Sequence, residues 1–363
     1  MKAITKEGIM ELGSLIKNSA KVAVVGHMHP DGDALGSTSA MCLYLRNFCG
    51  KDATIVLPET PADNVSFIIP EGLPCLCWDK EPKKSESRIL EADLVIQLDC
   101  NAFHRTEGLQ CAMEASKAKK VLIDQHLNPA VESFNLVFST PEISSARELL
   151  YWILKELSVK ENAEGCATSV ASALFLAEEG ACPSAIEIGT ALMAGMTTDT
   201  NNFANSVFPS TLQMASELIA SGVDRDALLQ KIYNSYRENR VRIMGYMQYE
   251  GMQVMENGAA YMIITREIQN RFDLQEGETE GLVNLPLTIG KVRLSVLLKE
   301  DGDHFRVSVR SKKGTSAQQL ALKYFHGGGH ENAAGGRLFI GPDINNADEA
   351  ENYVKNALNS FMQ

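Results

Sequence analysis

The sequence predicts an α/β protein in two parts, a parallel-sheet domain followed by a smaller α+β domain. Three observations predict it. Short β-branched runs alternate with helical stretches through the first half, the pattern of a parallel sheet. After residue 251 the pattern changes to longer strands joined by a hairpin signal. And 363 residues with 45% hydrophobic and 22% charged content suit two ordinary domains with sizeable cores.

The elements follow in order. Residues 5–19 read as an amphipathic helix, with Ile9, Leu12, Leu15 and Ile16 at helical spacing. Val22-Ala23-Val24-Val25 is a short strand ending at Gly26, and a helix runs from about Ala34 to Arg46. Thr54–Leu57, Leu94–Leu98 and Val121–Ile123 read as further buried strands. Residues 146–158, 166–180 and part of 185–196 read as helices. The chain from 209 to 250 is helical and polar and serves as a connector, so the expected domains are 1–208 and 251–363. In the second domain Ala260–Ile264, Val292–Leu298 and Phe305–Arg310 are strands, the last two joined across Asp301-Gly302-Asp303.

Composition excludes several classes. No apolar run reaches the ~20 residues of a transmembrane helix, and the first residues lack the apolar core of a secretion signal, so cytoplasmic residence is expected. Eight cysteines are scattered without zinc-site spacing and read as reduced thiols. A net charge of −12 argues against coating long duplex DNA, which needs a positive surface. Short phosphorylated ligands are easier to accommodate.

The feature that points to chemistry is where acids and histidines fall. Gly26-His27-Met28-His29-Pro30-Asp31-Gly32-Asp33 follows the 22–25 strand, Asp99 follows 94–98, and Asp124-Gln125-His126 follows 121–123. Asp199 ends the apolar segment Ala191–Met196 and is expected to join them. Open α/β sheets bind ligands at the carboxyl ends of their strands. Clustered carboxylates repel and must be protonated or neutralised, and a His-plus-carboxylate set suits Mn²⁺ or a similar ion. Any one of these acids alone reads better as a turn former or helix cap, as Asp31 and Asp33 before a helix illustrate. His29 has no assigned role and reads as a solvent-facing residue or one that supports the ligands without binding the ion.

In order, these four motifs resemble those of the DHH phosphoesterase superfamily, and most of all its branch of bifunctional oligoribonucleases and phosphoadenosine-phosphate (PAP) phosphatases. Gly327-Gly328-Gly329-His330 followed by Ala333-Ala334-Gly335-Gly336 resembles the DHHA1 domain of the same proteins. The resemblance implies two divalent ions, Mn²⁺ or Mg²⁺. One would be held by His27, Asp31 and Asp99, the other by Asp33, Asp99, Asp199 and the residue at 125. The family has Asp-His-His where this chain has Asp124-Gln125-His126, and Gln is the poorer ligand. His126 would stabilise charge or protonate the leaving oxygen, with Asp124 orienting its neighbours.

Glycines let backbone N–H groups approach an anion, so Gly328, Gly329 and His330 are candidate substrate contacts, with Arg310-Ser311 at a strand end and Arg105 beyond Asp99. Gly327–His330 alone would read only as a flexible turn, and Tyr324 and Phe325 beside it more as core than as base-stacking groups. The resemblance implies an active-site cleft between the domains and hydrolysis of short oligoribonucleotides and of 3′-phosphoadenosine 5′-phosphate. Cyclic or linear dinucleotides, pyrophosphate or polyphosphate, and a non-catalytic nucleotide sensor are the alternatives. Expected partners are short RNA or small nucleotides, with no long duplex DNA and no membrane; a homodimer is compatible.

Overall fold

Six parallel strands organise the first half of the chain. A computed structural model describes residues 3–163 and 182–363; Cys166 and the helix read over 166–180 lie outside the described residues. The chain divides into two units, Met1–Ser235 and Tyr236–Gln363.

In chain order the first unit comprises α1 (Lys6–Lys17), β1 (Lys21–Val25), α2 (Gly32–Asn47), β2 (Asp52–Leu57), α3 (Asp63–Ser66), β3 (Cys75–Cys77), α4 (Pro82–Leu90), β4 (Leu94–Leu98), α5 (Gln110–Ala115), β5 (Lys119–Asp124) and β6 (Leu136–Ser139). Then come α6 (Ala146–Ala163), α7 (Pro183–Asp199), α8 (Pro209–Ala220) and α9 (Arg225–Tyr233). Thr5 starts α1 by accepting the Gly8 N–H at 3.0 Å, a side-chain cap, and Ile9, Leu12 and Ile16 bury its apolar face. β1 and β4 are apolar almost throughout because helices cover both sheet faces.

The strand order is β3-β2-β1-β4-β5-β6, and every pair is parallel. The order reverses at β1, which has β2 on one side and β4 on the other. The carboxyl ends of β1 and β4 therefore flank the crevice where such sheets bind ligands. Asp199 arrives differently from the strand-end acids. It is the last residue of a helix, α7, which packs on α2, because the 183–199 segment is helical throughout.

The second unit holds α10 (Glu238–Tyr246), β7 (Gln253–Val254), β8 (Ala259–Ile264), α11 (Arg266–Arg271), β9 (Leu294–Asp301), β10 (His304–Ser311), α12 (Ala317–Tyr324), β11 (Gly328–His330), β12 (Ala333–Phe339) and α13 (Ala350–Phe361). The segment read as a connector is thus shared, with α8 and α9 in the first unit and α10 in the second. The sheet order is β11-β12-β10-β9-β8-β7, antiparallel except for β8 with β9. β10 alternates, burying Phe305, Val307 and Val309, the period-2 pattern of a half-covered sheet. Phe305 is fully buried in a cluster with Leu320, Phe325, Val354 and Leu358. Phe305→Ala is expected to cost roughly 3–5 kcal/mol in urea unfolding; a loss under about 1 kcal/mol would contradict this packing.

The seven described cysteines are free thiols. Among the described residues no helix is long and apolar enough to cross a membrane.

Candidate active site

The loop after β1 delivers His27 and Asp31. Asp31 caps α2, its Oδ1 accepting the N–H groups of Asp33 and Ala34 at 2.9 and 3.1 Å. It is a helix cap and a member of the acid cluster at once. His27 is buried, and its Nδ1 lies 2.7 Å from the Met28 carbonyl. A carbonyl only accepts, so Nδ1 carries a proton in either charge state and Nε2 is the atom left for a second proton or a metal ion. Nε2 sits 3.3 Å from Asp99 Oδ2 and 3.8 Å from Asp31 Oδ1. Burial disfavours an imidazolium, but Asp99 and Asp31 outweigh it and lift His27 to about 9. The position calls for a cation, either a proton or a metal ion.

Asp99 stands at the end of β4 with φ of 54°, a left-handed conformation that costs a non-glycine residue energy and recurs at functional sites. It is almost wholly buried, and its Oδ1 has no hydrogen-bond partner. That oxygen lies 3.5 Å from His126 Nδ1. Asp124, at the end of β5, accepts from the His126 backbone at 2.9 Å and holds its Nδ1 at 2.8 Å. Two donor groups result, His27–Asp31–Asp99 and Asp99–Asp124–His126, the ligand atoms within each lying inside 4.8 Å of one another. A buried acceptor without a partner and an imidazole nitrogen facing two carboxylates, where a metal ion can take the place of a proton, are the donor chemistry a divalent ion requires.

Asp33 and Asp199 meet a group the sequence reading did not include. Arg147, in the first turn of α6, is fully buried. Its Nη1 lies 3.1 Å from Asp33 Oδ1 and its Nη2 3.1 Å from Asp199 Oδ2. These are charge contacts by distance, since none of the guanidinium nitrogens makes an aligned hydrogen bond. Gln125 also faces Asp33, its Nε2 donating to Oδ2 at 3.1 Å; an amide oxygen there would face like charge, which sets the orientation. Burial raises Asp33 to about 7, with Arg147 pulling down and Asp99 and Asp31 pushing up. Asp199 is raised by burial too, against the same guanidinium. The signal for Arg147 was a basic residue at the start of a helix, where the dipole disfavours it.

The other predicted contacts divide. Arg105 sits in the turn after Asp99, and its carbonyl accepts the Met28 N–H at 2.9 Å, tying that turn to the β1 loop. Among the described residues no carboxylate pairs with its guanidinium. Arg310 donates through Nη1 to the carbonyls of Val309 and Ala334 at 2.9 and 3.3 Å, and it too has no carboxylate partner among the described residues. Burial lowers its pKa. Ser311 is engaged locally, donating to the Thr315 carbonyl and accepting from Asn332 at 2.9 Å. Gly328 and Gly329 lie in an edge strand, β11, paired with β12, where a turn was the alternative. A Cβ on Gly327 would come within 1.9 Å of the Gly335 carbonyl, so close strand approach requires glycine there. The side chain of His330 lies outside the described residues. Phe325 is core, and the Tyr324 carbonyl accepts the Tyr353 hydroxyl at 2.8 Å. His29 is largely exposed and pairs with Glu59.

Comparison with known proteins gives the family. The model of the DHH family, N-terminal domain, matches residues 21–177, and that of the DHHA1 domain matches 258–360. The chain is 28% identical over 317 residues to the bifunctional oligoribonuclease and PAP phosphatase NrnA of Bacillus subtilis, covering 86% of this chain and 88% of the relative. The protein of the same name from Thermus thermophilus is 26% identical over 334 residues, covering 90% and 87%. The crystal structure of an exopolyphosphatase-related protein from Bacteroides fragilis superposes with a TM-score of 0.87 at 30% identity, covering 100% of this chain and 98% of that one. Strand-end acids, matched domains and full-length similarity agree: the chain belongs to the DHH–DHHA1 phosphoesterases and is a hydrolytic enzyme of that family.

Proposed function

We propose that the chain hydrolyses short oligoribonucleotides and 3′-phosphoadenosine 5′-phosphate with the help of a divalent ion, Mn²⁺ in preference to Mg²⁺, held by His27, Asp31 and Asp99. The single observation that carries this is Asp99, a strained buried carboxylate with an unpartnered oxygen set between His27 and His126. A divalent ion there would supply Lewis acidity toward phosphate and a nucleophilic water at neutral pH.

The protein's own groups supply the rest. Water adds to phosphorus as the ester P–O bond breaks, the leaving oxygen takes a proton, and the proton that the water gives up passes to solvent, from which His126 is recharged. His126 gives that proton, with Asp124 fixing the ring through Nδ1. Arg105 is the phosphate contact beside the strand ends, its guanidinium suited to anion recognition. On the second unit Arg310 offers a partly buried guanidinium without a carboxylate partner, flanked in the sheet by Ala333 and Ala334, with Ser311, Gly328, Gly329 and His330 completing an anion grip. Arg310→Ala is expected to raise KM for a dinucleotide about tenfold or more, the worth of one charge-assisted hydrogen bond, with a smaller change in kcat. An unchanged KM would remove Arg310 from the substrate site.

Similarity to relatives named bifunctional oligoribonuclease and PAP phosphatase supports short RNA and PAP as the substrates. A Mn²⁺-supplemented panel of a dinucleotide, PAP, a cyclic dinucleotide, pyrophosphate and polyphosphate tests the choice. Turnover should be fastest on the first two, and a 3-mer should be cut faster than a 20-mer. Turnover confined to pyrophosphate and polyphosphate would overturn the nucleotide reading.

A further inference from the structure

Five carboxylates, Asp31, Asp33, Asp99, Asp124 and Asp199, gather where β1, β4, β5 and α7 end, and they divide into two electrostatic halves. In one half, His27 Nε2 faces Asp99 and Asp31, and Asp99 Oδ1 has no hydrogen-bond partner. Asp124 beside it is spent on His126, whose backbone N–H and Nδ1 it holds, so the Asp99–Asp124–His126 group offers no separate ion site. In the other half, Asp33 and Asp199 are already answered by the protein.

Asp33 has no exposed surface and both of its oxygens are occupied. Oδ2 accepts the Ala146 N–H at 2.8 Å and the Gln125 amide at 3.1 Å. Oδ1 accepts the Arg147 N–H at 3.1 Å and faces Arg147 Nη1 at the same distance. The first backbone N–H groups of α6 and a guanidinium from that same turn thus act on one carboxylate. The second arm of the guanidinium reaches Asp199. A divalent ion between Asp33 and Asp199 would have to displace a planar cation that keeps its charge at any accessible pH. Gln125 adds to the misfit, since it presents a donor rather than a lone pair.

The fold reserves space for this side chain. A Cβ on Gly195 of α7 would fall 1.9 Å from Arg147 Nη1 and 2.3 Å from the Gly32 carbonyl oxygen, so this glycine makes room for the guanidinium as well as for the approach of α7 to α2. A cation in the first turn of a helix works against the helix dipole, so α6 gains nothing from Arg147 on its own account. The residue is explained by the carboxylates it faces.

We propose that Arg147 is a built-in replacement for a second metal ion: it neutralises Asp33 and Asp199 permanently, and the chain binds one divalent ion, at His27, Asp31 and Asp99. Arg147 is a positioning residue here, acting on the site through Asp33 and Asp199. The inference uses the proposed function only for the identity of that first set, and counting ions without substrate separates the two.

The test is the Mn²⁺ content of the intact protein at saturation, by equilibrium dialysis with elemental analysis, together with its electron paramagnetic resonance spectrum. The wild type should hold one ion per chain with the six-line signal of an isolated Mn²⁺. Two ions per chain with a spin-coupled signal would overturn the proposal and leave the hydrolase reading standing. No bound ion would remove the first site and, with it, both readings. The double variant Arg147→Ala, Gln125→His should gain a second ion and a coupled signal, a gain that a merely structural arginine does not predict. A folded double variant that still holds one ion would overturn the role given to the guanidinium. Should it fail to fold, the wild-type count still decides.

Discussion

Replacing Asp99 with Asn lowers kcat/KM on a dinucleotide by roughly 10³-fold or more, the rate equivalent of the several kcal/mol that Lewis-acid stabilisation supplies. Asp99 is the one residue common to both donor groups. Its Oδ2 faces His27 and its unpartnered Oδ1 faces His126. Asn keeps the shape and hydrogen-bonding capacity of the side chain but removes the charge. A second readout separates a functional loss from a structural one. With metal chelated, His27 takes a proton and pairs with Asp99 at 3.3 Å, so Asp99→Asn should melt below the wild type, and added Mn²⁺ should raise the melting temperature of the wild type but not of the variant. Near-wild-type activity, or equal Mn²⁺ stabilisation of the two proteins, would show that Asp99 is not the centre of the site.

Gly195→Ala is the substitution expected to do most damage to the fold for the smallest chemical change. The added Cβ would stand 1.9 Å from Arg147 Nη1 and 2.3 Å from the Gly32 carbonyl oxygen. The carbonyl belongs to backbone at the start of α2 and cannot yield without moving the helix. The guanidinium can yield only by leaving Asp33, whose side chain has no exposure. Breaking a buried pair so that one charge is stranded costs about 3–5 kcal/mol, and overpacking adds to it. Urea unfolding measures the loss. A cost below about 1 kcal/mol would mean that the guanidinium does not fill the space beside α7. This substitution introduces no polar group and changes no proposed metal ligand, so the result reports on the packing of α7 against both the arginine and the start of α2.

Much of the fold was legible because its causes are local. The strands of the first sheet are buried on both faces and read as unbroken apolar runs. β10 is buried on one face and reads as an alternation. His27, Asp31, Asp99, Asp124 and His126 were legible as a group for the same reason, since each follows directly on such a run and parallel strands align their carboxyl ends. Asp199 was placed with them as the end of an apolar segment read in part as helix, and the helix runs the whole way to it. The glycines at 327–329 read as an anion loop or a turn, whereas close approach to β12 makes them part of an edge strand.

The sequence by itself determined where the acids stand in the first sheet, because strand periodicity and the residue after each strand are written in neighbouring positions. Only the tertiary structure decided which cation each acid meets. Arg147 contacts Asp33 across 114 residues of chain, and room for its guanidinium depends on Gly195 of another helix. Charge pairing depends on separation in space, which falls off within a few ångströms, and no spacing along the chain records it.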